Sequence, residues 1–215
     1  PPKEWTTYRD RNEVGSYRRT FTLPAGWKDK AVYLNFDGVD SFFYLWINGR
    51  YVGFSKNSRT LASFDISPYL RPKGEENVIA VEVYRNSDGS FLESQDMFRL
   101  PGIFRSVYLT AKPKVHLRDL QVLPDVSPDL ETGSLHIKAS LKAQGGGALR
   151  PDLRLSYKLY ALPLYSDEVS GAPVATAEGR SSSTGVSEVS FTVIKPALWS
   201  AEAPHRYVLV AELYD

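Results

Sequence analysis

The stretch FYLWINGRYVGF, residues 43–54, indicates the fold class of this chain. Two runs rich in aromatic and β-branched residues flank Asn48-Gly49, and this dipeptide readily adopts the positive φ angles of a two-residue hairpin turn. The sequence therefore predicts two antiparallel strands that meet at Asn48-Gly49. Aromatic side chains in such strands are expected mostly in the core of a sandwich; those of this region are Phe42, Phe43, Tyr44, Trp46, Tyr51 and Phe54.

Strand patterns continue on both sides of this hairpin. The segment AVYLNF (31–36) alternates and places Val32, Leu34 and Phe36 on one face. The segment NVIAVEVYR (77–85) is apolar at nearly every position, which is typical of a strand covered on both faces. The other predicted elements are strands at SYRRTFTL (16–23) and FRSVYLTAKP (104–113) and one helical turn at DISPYL (65–70).

A second series of predicted strands follows, with fewer aromatic residues than the first. Its members are VHLRDLQVLPDV (115–126), SLHIKASLKA (134–143), LRLSYKLYAL (153–162), PVATAEGR (173–180), VSEVSFTVI (186–194) and RYVLVAELYD (206–215). Turn-rich pieces such as QGGGALRPD (144–152) separate them, and AKPK (111–114) has the composition of a short linker. Regularly spaced strands without a helical period predict an all-β chain of two sandwiches, with a boundary at about residue 113.

The composition excludes several classes of function. The 215 residues carry a formal charge of +1 and no strongly basic run, so nothing indicates a nucleic-acid partner. The lack of cysteine excludes disulfides, thiol catalysis and CxxC metal sites. No apolar run approaches the roughly 20 residues of a membrane span. His116, His136 and His205 lack the close spacing of a metal site, and we expect each to face solvent in or beside a strand of the second series.

One polar stretch interrupts the strands, SDGSFLESQDMFRLPGIFR at residues 87–105. Its carboxylates are Asp88, Glu93 and Asp96, and glycoside hydrolysis uses two carboxyl groups roughly 5–9 Å apart. The alternative is a strand connection in which Asp88 and Gly89 form a turn, Glu93 faces solvent and Asp96 caps backbone groups. Because spacing within a loop fixes no distance, the residue pattern favours the connection and leaves an acid pair open.

Several segments together resemble the amino-terminal region of bacterial β-galactosidases of glycoside hydrolase family 2. FDGVDSFFYLWINGRYVGFSKNSR (36–59) is similar to a pattern shared across that family, including its glucuronidases and mannosidases. NSDGSFLESQDMFRLPGIFRSVYL (86–109) resembles the β-galactosidase branch in particular. GSYRRTF (15–21), FDIS (64–67) and LWSAEAPHRYVLVAELYD (198–215) extend the resemblance over nearly the whole chain.

The resemblance implies a jelly-roll, galactose-binding-like β-sandwich over residues 1–113 and an immunoglobulin-like β-sandwich over residues 114–215. A TIM barrel follows these domains in that family and carries both catalytic glutamates of a retaining hydrolase. The resemblance therefore implies that no catalytic residue lies in this chain and that the chain alone is inactive. It also implies a further segment before residue 1 and a last strand after residue 215, so we expect exposed strand edges and self-association.

The resemblance further implies two ion sites. Asp96 matches a position that ligates a sodium ion and helps to hold the hydroxyl groups of galactose in the active site. Asp88 matches a position that, in some members, helps to bind a peripheral divalent ion. Sodium and magnesium are thus both expected for the full-length parent. Lys56 stands where the peripheral site would have an amide side chain.

The expected function is that of a non-catalytic part of a retaining β-galactosidase that acts on lactose-like or more complex glycans. Its expected partners are the parent's own TIM barrel and a galactoside substrate, within a parent that forms homo-oligomers. The alternatives are a free carbohydrate-binding module, another glycosidase of the family (β-glucuronidase or β-mannosidase), and a structural or adhesive protein of tandem sandwiches. The sequence leaves the compartment open.

Overall fold

A computed structural model describes residues 12–27, 29–72, 74–92, 96 and 98–214 of the chain. The chain divides into two compact units between Pro113 and Lys114. In both units, almost all regular structure of the described residues is antiparallel β-sheet, which confirms the all-β fold class. No helix in this described part of the chain is long and apolar enough to cross a membrane.

The first unit has nine strands among its described residues. They are β1 (Val14–Phe21), β2 (Ala31–Phe36), β3 (Val39–Asp40), β4 (Phe42–Ile47), β5 (Arg50–Ser55), β6 (Ala62–Asp65), β7 (Asn77–Tyr84), β8 (Gly102–Ile103) and β9 (Val107–Lys112). One short α-helix, α1 (Asp88–Leu92), lies between β7 and β8. A 3₁₀ turn at Ala25–Trp27 precedes β2, and another at Ser67–Tyr69 confirms the helical turn predicted at 65–70.

Two sheets of the first unit share one apolar core. A four-stranded sheet has the order β1-β7-β4-β5, a three-stranded sheet has the order β6-β2-β9, and β3 pairs with β8. Val32, Leu34 and Phe36 of β2 all belong to this core, as the alternation predicts. The ring of Phe36 lies 4.7 Å from that of Phe43 on β4, centroid to centroid. The two larger sheets therefore pack through the inward faces of β2, β4 and β7.

The hairpin predicted at Asn48-Gly49 is confirmed. Both residues have positive φ, 52° and 78°, and β4 pairs with β5 on either side of them. The Asn48 side chain also reaches β7, since Nδ2 donates to Asn77 Oδ1 at 2.8 Å and Oδ1 accepts from Val78 N at 2.8 Å. The turn is thus attached to the centre of the four-stranded sheet.

The prediction that the aromatic residues of this region lie mostly in the core is wrong. Only Phe43 is fully buried among the six. Side chains alternate between the two faces of a strand, and the other rings lie on the outer, partly exposed face: Phe42, Tyr44 and Trp46 on β4, and Tyr51 and Phe54 on β5. These rings contact one another, as Tyr44 and Tyr51 do with centroids 6.1 Å apart.

The strand β7 also departs from its prediction. Val81 and Val83 are buried on its inner face, whereas Ala80 and Glu82 on the opposite face remain partly exposed. β7 is therefore buried on one face rather than on both. This is the usual state of a strand in an antiparallel sandwich, where one face packs on the core and the other meets solvent.

Over residues 114–214 the second unit has six strands, β10 (Val115–Val126), β11 (Thr132–Ala143), β12 (Arg154–Ala161), β13 (Ala175–Arg180), β14 (Val186–Ile194) and β15 (Tyr207–Tyr214). They form two three-stranded sheets, β10-β11-β14 and β13-β12-β15. Ile137, Leu155 and Tyr157 are fully buried between the sheets. Two antiparallel sheets on one core are the architecture of an immunoglobulin-like sandwich.

One histidine of this unit is not where the sequence predicts it. His116 on β10 is buried, at 7% exposure, rather than facing solvent. His136 on β11 is exposed as predicted, and its Nδ1 lies 2.9 Å from Ser190 Oγ. His205 is partly buried and lies just before β15.

Candidate functional site

The connection between β7 and β8 comprises residues 85–101. Several hydrogen bonds hold its first residues to the first unit. Ser41 Oγ lies 3.2 Å from the carbonyl oxygens of both Tyr84 and Arg85. Arg85 donates twice to Glu13, from its backbone N to the carbonyl at 3.0 Å and from Nη1 to Oε2 at 2.7 Å. These hydrogen bonds hold the backbone in place where β7 ends.

The far end of the connection is fixed by the small sheet. Val39 pairs with Ile103, and Asp40 pairs with Gly102. Asp40 is itself 8% exposed, and its Oδ2 lies 3.7 Å from Nη2 of Arg59. Both ends of the connection are thus held by the sandwich.

The helix α1 begins with a reciprocal pair of serine hydrogen bonds. Ser87 N donates to Ser90 Oγ at 2.8 Å, and Ser90 N donates to Ser87 Oγ at 3.3 Å. This is the geometry of a capping box with serine in the place of the usual Glu or Gln. The S-x-x-S spacing is a local signal for the start of this helix, whereas the residue pattern alone favours a strand connection with a turn at Asp88 and Gly89. Arg99 also donates to the Ser90 carbonyl, a contact with no sequence signal.

Asp88, the first residue of α1, pairs with Lys56 just after β5. Lys56 Nζ lies 2.7 Å from Asp88 Oδ2, and Asp88 Oδ1 accepts a hydrogen bond from Gly89 N at 2.9 Å. The bond from Lys56, followed by that from Gly89, holds the pKa of Asp88 below its usual value of 3.8. The arrangement attaches α1 to the end of the β4–β5 hairpin.

Asp96 is exposed further along the same connection. Large apolar side chains close to Asp96 in sequence are exposed as well: Leu92 is 86% exposed, Phe98 93% and Leu100 73%. A concentration of exposed apolar side chains on a soluble domain is typical of a surface that binds another surface. Glu93, the remaining carboxylate of the predicted group, lies outside the described residues.

The two carboxylates predicted as ion ligands differ in how well they fit an ion. Asp96 offers an exposed carboxylate, the kind of oxygen ligand that a hard cation prefers. Asp88 already has an ammonium group at hydrogen-bonding distance from one oxygen and a backbone N–H on the other. Within the described ranges, no three His, Cys, Asp or Glu side chains come together as a metal site. The role of Asp96 stays a prediction from the resemblance, whereas the contacts on both oxygens of Asp88 disfavour a cation there.

Two family models match the chain over nearly its whole length. The model described as "Glycosyl hydrolases family 2, sugar binding domain" matches residues 3–113. The model described as "Glycosyl hydrolases family 2" matches residues 115–215.

Curated relatives carry the name β-galactosidase. The β-galactosidase of Priestia megaterium is 43% identical over 214 residues, which cover 99% of this chain and 20% of that protein. The β-galactosidase of Halalkalibacterium halodurans is 40% identical over 206 residues, which cover 96% of this chain and 19% of that protein. The chain thus spans about a fifth of the length of these relatives.

Solved structures with the same fold include two from Bacteroides. The β-glucuronidase of Bacteroides uniformis superposes with a TM-score of 0.76 at 28% identity, over 94% of this chain and 24% of that one. A putative β-galactosidase of Bacteroides fragilis has a TM-score of 0.78, over 95% of this chain and 31% of that one; its 23% identity shows the fold alone. With both family models matched and these relatives aligned along it, the chain belongs to glycosyl hydrolase family 2.

Proposed function

We propose that this chain is a non-catalytic, amino-terminal part of a retaining β-galactosidase that removes terminal β-D-galactose from lactose-like or more complex glycans. Residues 1–113 form its jelly-roll sugar-binding domain, and residues 114–215 form an immunoglobulin-like spacer. Support comes from the 40–43% identity to relatives named β-galactosidase and from the SDGSFLESQDM string at residues 87–97.

The observation that carries the proposal is the exposure of large apolar side chains close to Asp96 in sequence. Leaving a side chain such as Phe98 in water forgoes about 1.5–3 kcal/mol that its burial would contribute. Leu92 and Leu100 are exposed on the same connection. We propose that the parent's TIM barrel covers these side chains. The Asp96 carboxylate would then lie at the junction between the two domains.

The chemistry of a retaining glycosidase assigns different work to the barrel and to this chain. Two carboxyl groups about 5–5.5 Å apart act as nucleophile and as acid/base on either side of the scissile bond, and both belong to the barrel. Asp96 would accept hydrogen bonds from hydroxyl groups of the galactose ring. A carboxylate makes such bonds strongly, and holding the ring in place contributes to the rate by orienting the bond that breaks.

Asp96 would also give one oxygen ligand to a sodium ion in that site. The remaining ligands are proposed to come from the barrel and the sugar. The ion would supply positive charge that attracts sugar hydroxyl oxygens. Magnesium is proposed for the parent on the family resemblance alone.

A β-glucuronidase is the second candidate, because the structure of that name from Bacteroides uniformis has this fold at 28% identity. The two are separated by assaying the full-length parent on p-nitrophenyl β-galactoside, β-glucuronide and β-mannoside. We expect the galactoside to be preferred in kcat/KM. A preference for the glucuronide or the mannoside would replace the proposed specificity with that of the preferred substrate.

The shared site is tested by titrating galactose and longer galactosides into this chain by calorimetry. We expect no sub-millimolar binding, because half of the site lies on the barrel. Sub-millimolar binding would instead indicate a free carbohydrate-binding module. A coding sequence that continues without a barrel and its two glutamates would favour a structural or adhesive protein of tandem sandwiches.

A further inference from the structure

We infer that the ammonium group of Lys56 takes the place of the peripheral divalent cation beside Asp88, so that this chain holds α1 against the β4–β5 hairpin without a metal ion. The family resemblance implies the cation, and the Lys56–Asp88 geometry disagrees with it. The inference concerns this chain alone and does not depend on which sugar the parent cleaves.

The Asp88 carboxylate already has a hydrogen-bond donor on each oxygen. Lys56 Nζ lies 2.7 Å from Oδ2, and Gly89 N donates to Oδ1 at 2.9 Å. An ion at Asp88 would have to displace the ammonium group or lie beside it. Neither is favourable, because an ammonium group and a metal ion carry charge of the same sign.

A divalent ion bound to Asp88 would lie close to the ammonium group of Lys56. Divalent ions bind carboxylate oxygens at about 2.0–2.6 Å. An ion on Oδ2 would therefore lie at most about 5 Å from Lys56 Nζ. At that distance the repulsion between charges of +2 and +1 lowers the affinity for the ion about tenfold even in a highly polar medium.

The segments bearing Lys56 and Asp88 also run close together. A Cβ atom added to Gly89 would lie 3.4 Å from the Lys56 carbonyl oxygen. The ion pair thus joins two neighbouring segments, which is the linking role that a bridging cation would have. The side chains of Lys56 and Asp88 are 49% and 72% exposed, so the pair adds little to overall stability, and its effect is expected in metal affinity.

The test uses Mn²⁺ as the probe and follows paramagnetic broadening of the amide signals of α1 by NMR at low salt. We compare the natural chain with Lys56→Gln, which restores the amide, and with the double variant Lys56→Gln/Asp88→Asn. Lys138→Gln is the matched control, because it frees Glu188 from a similarly exposed pair of 3.1 Å in the second unit. Adding a chelator to the natural chain gives a second measurement.

We expect weak broadening at Gly89 in the natural chain, an apparent Mn²⁺ affinity about tenfold higher in Lys56→Gln, and loss of that gain in the double variant. Lys138→Gln should leave the signals of α1 unchanged, and the chelator should leave hydrogen exchange of residues 86–92 unchanged. Strong broadening at Gly89 in the natural chain, as strong as in Lys56→Gln, would overturn the inference. A Lys56→Gln chain that gains no affinity would overturn it equally.

Discussion

Asn48 Nδ2 donates a hydrogen bond of 2.8 Å to Asn77 Oδ1, and this bond joins the turn of the β4–β5 hairpin to the first residue of β7. The same Asn77 oxygen accepts a second bond, from Arg71 N at 2.9 Å. Asn77 is 1% exposed, so neither donor would easily find water in its place. One buried amide therefore holds together the turn, the segment before β7 and β7 itself.

Asn77→Ala should destabilise the first unit by about 2–3 kcal/mol, because it leaves the Asn48 amide and the Arg71 N–H without their acceptor. Urea unfolding would give the free energy, and hydrogen exchange should show the loss in residues 43–54. The exposed Asn57→Ala is the control, with an expected change within about 0.5 kcal/mol. Equal effects of the two substitutions would contradict this role of Asn77.

Substitution by alanine should change the unfolding free energy very differently at two phenylalanines of the first unit. Phe43 is 1% exposed in the core and Phe98 is 93% exposed beside Asp96. Phe43→Ala should cost about 3–5 kcal/mol of unfolding free energy, whereas Phe98→Ala should change it by no more than about 0.5 kcal/mol. Urea midpoints of this chain check both values. A large loss of unfolding free energy in Phe98→Ala would mean that the Phe98 side chain packs within the first unit and is not available to another domain.

The second unit should lose stability above pH 10 through Tyr157. Burial raises the pKa of Tyr157 above 10.0, and the hydroxyl lies 3.4 Å from Ser187 Oγ. Above pH 10 the unfolded chain releases the phenol proton while the folded chain still retains it, so rising pH favours unfolding. Tyr157→Phe should therefore lessen the decline between pH 9.5 and 11 while costing about 1 kcal/mol at pH 7.

Thermal and urea unfolding of the natural chain and Tyr157→Phe, measured across that pH range, check this expectation. The unfolding free energy of the natural chain should fall relative to that of Tyr157→Phe as pH rises, by up to about 1.4 kcal/mol for each pH unit above 10. Parallel curves would show that Tyr157 does not cause the decline.

Local signals were sufficient to predict much of the fold. Asn48-Gly49 determines its own turn, and alternation in residues 31–36 places Val32, Leu34 and Phe36 on the core face. Hydrophobicity alone predicts the aromatic residues near 42–54 in the core, because it does not show which face of a strand is covered. The alternation of Phe42 and Phe43 contains that information, but only once the strand register is known.

The site was less predictable for a different physical reason. The capping serines of α1 are local and could have been recognised from Ser87 and Ser90. The Lys56–Asp88 pair joins residues 32 positions apart, so its formation depends on how the hairpin and the connection meet. The proposed role of Asp96 depends on contacts with another domain. That role stays a prediction from family resemblance.

The central claim, that this chain lends Asp96 to a galactose site on another domain, is tested most directly by Asp96→Ala in the full-length enzyme, with Asp88→Ala in the same connection as the control. For Asp96→Ala we predict a fall in kcat/KM for a β-galactoside of at least about 100-fold, together with loss of any sodium dependence. For Asp88→Ala we predict kinetics within about threefold of the natural enzyme, because an exposed ion pair contributes little. Unchanged kinetics and sodium dependence in Asp96→Ala would contradict the account.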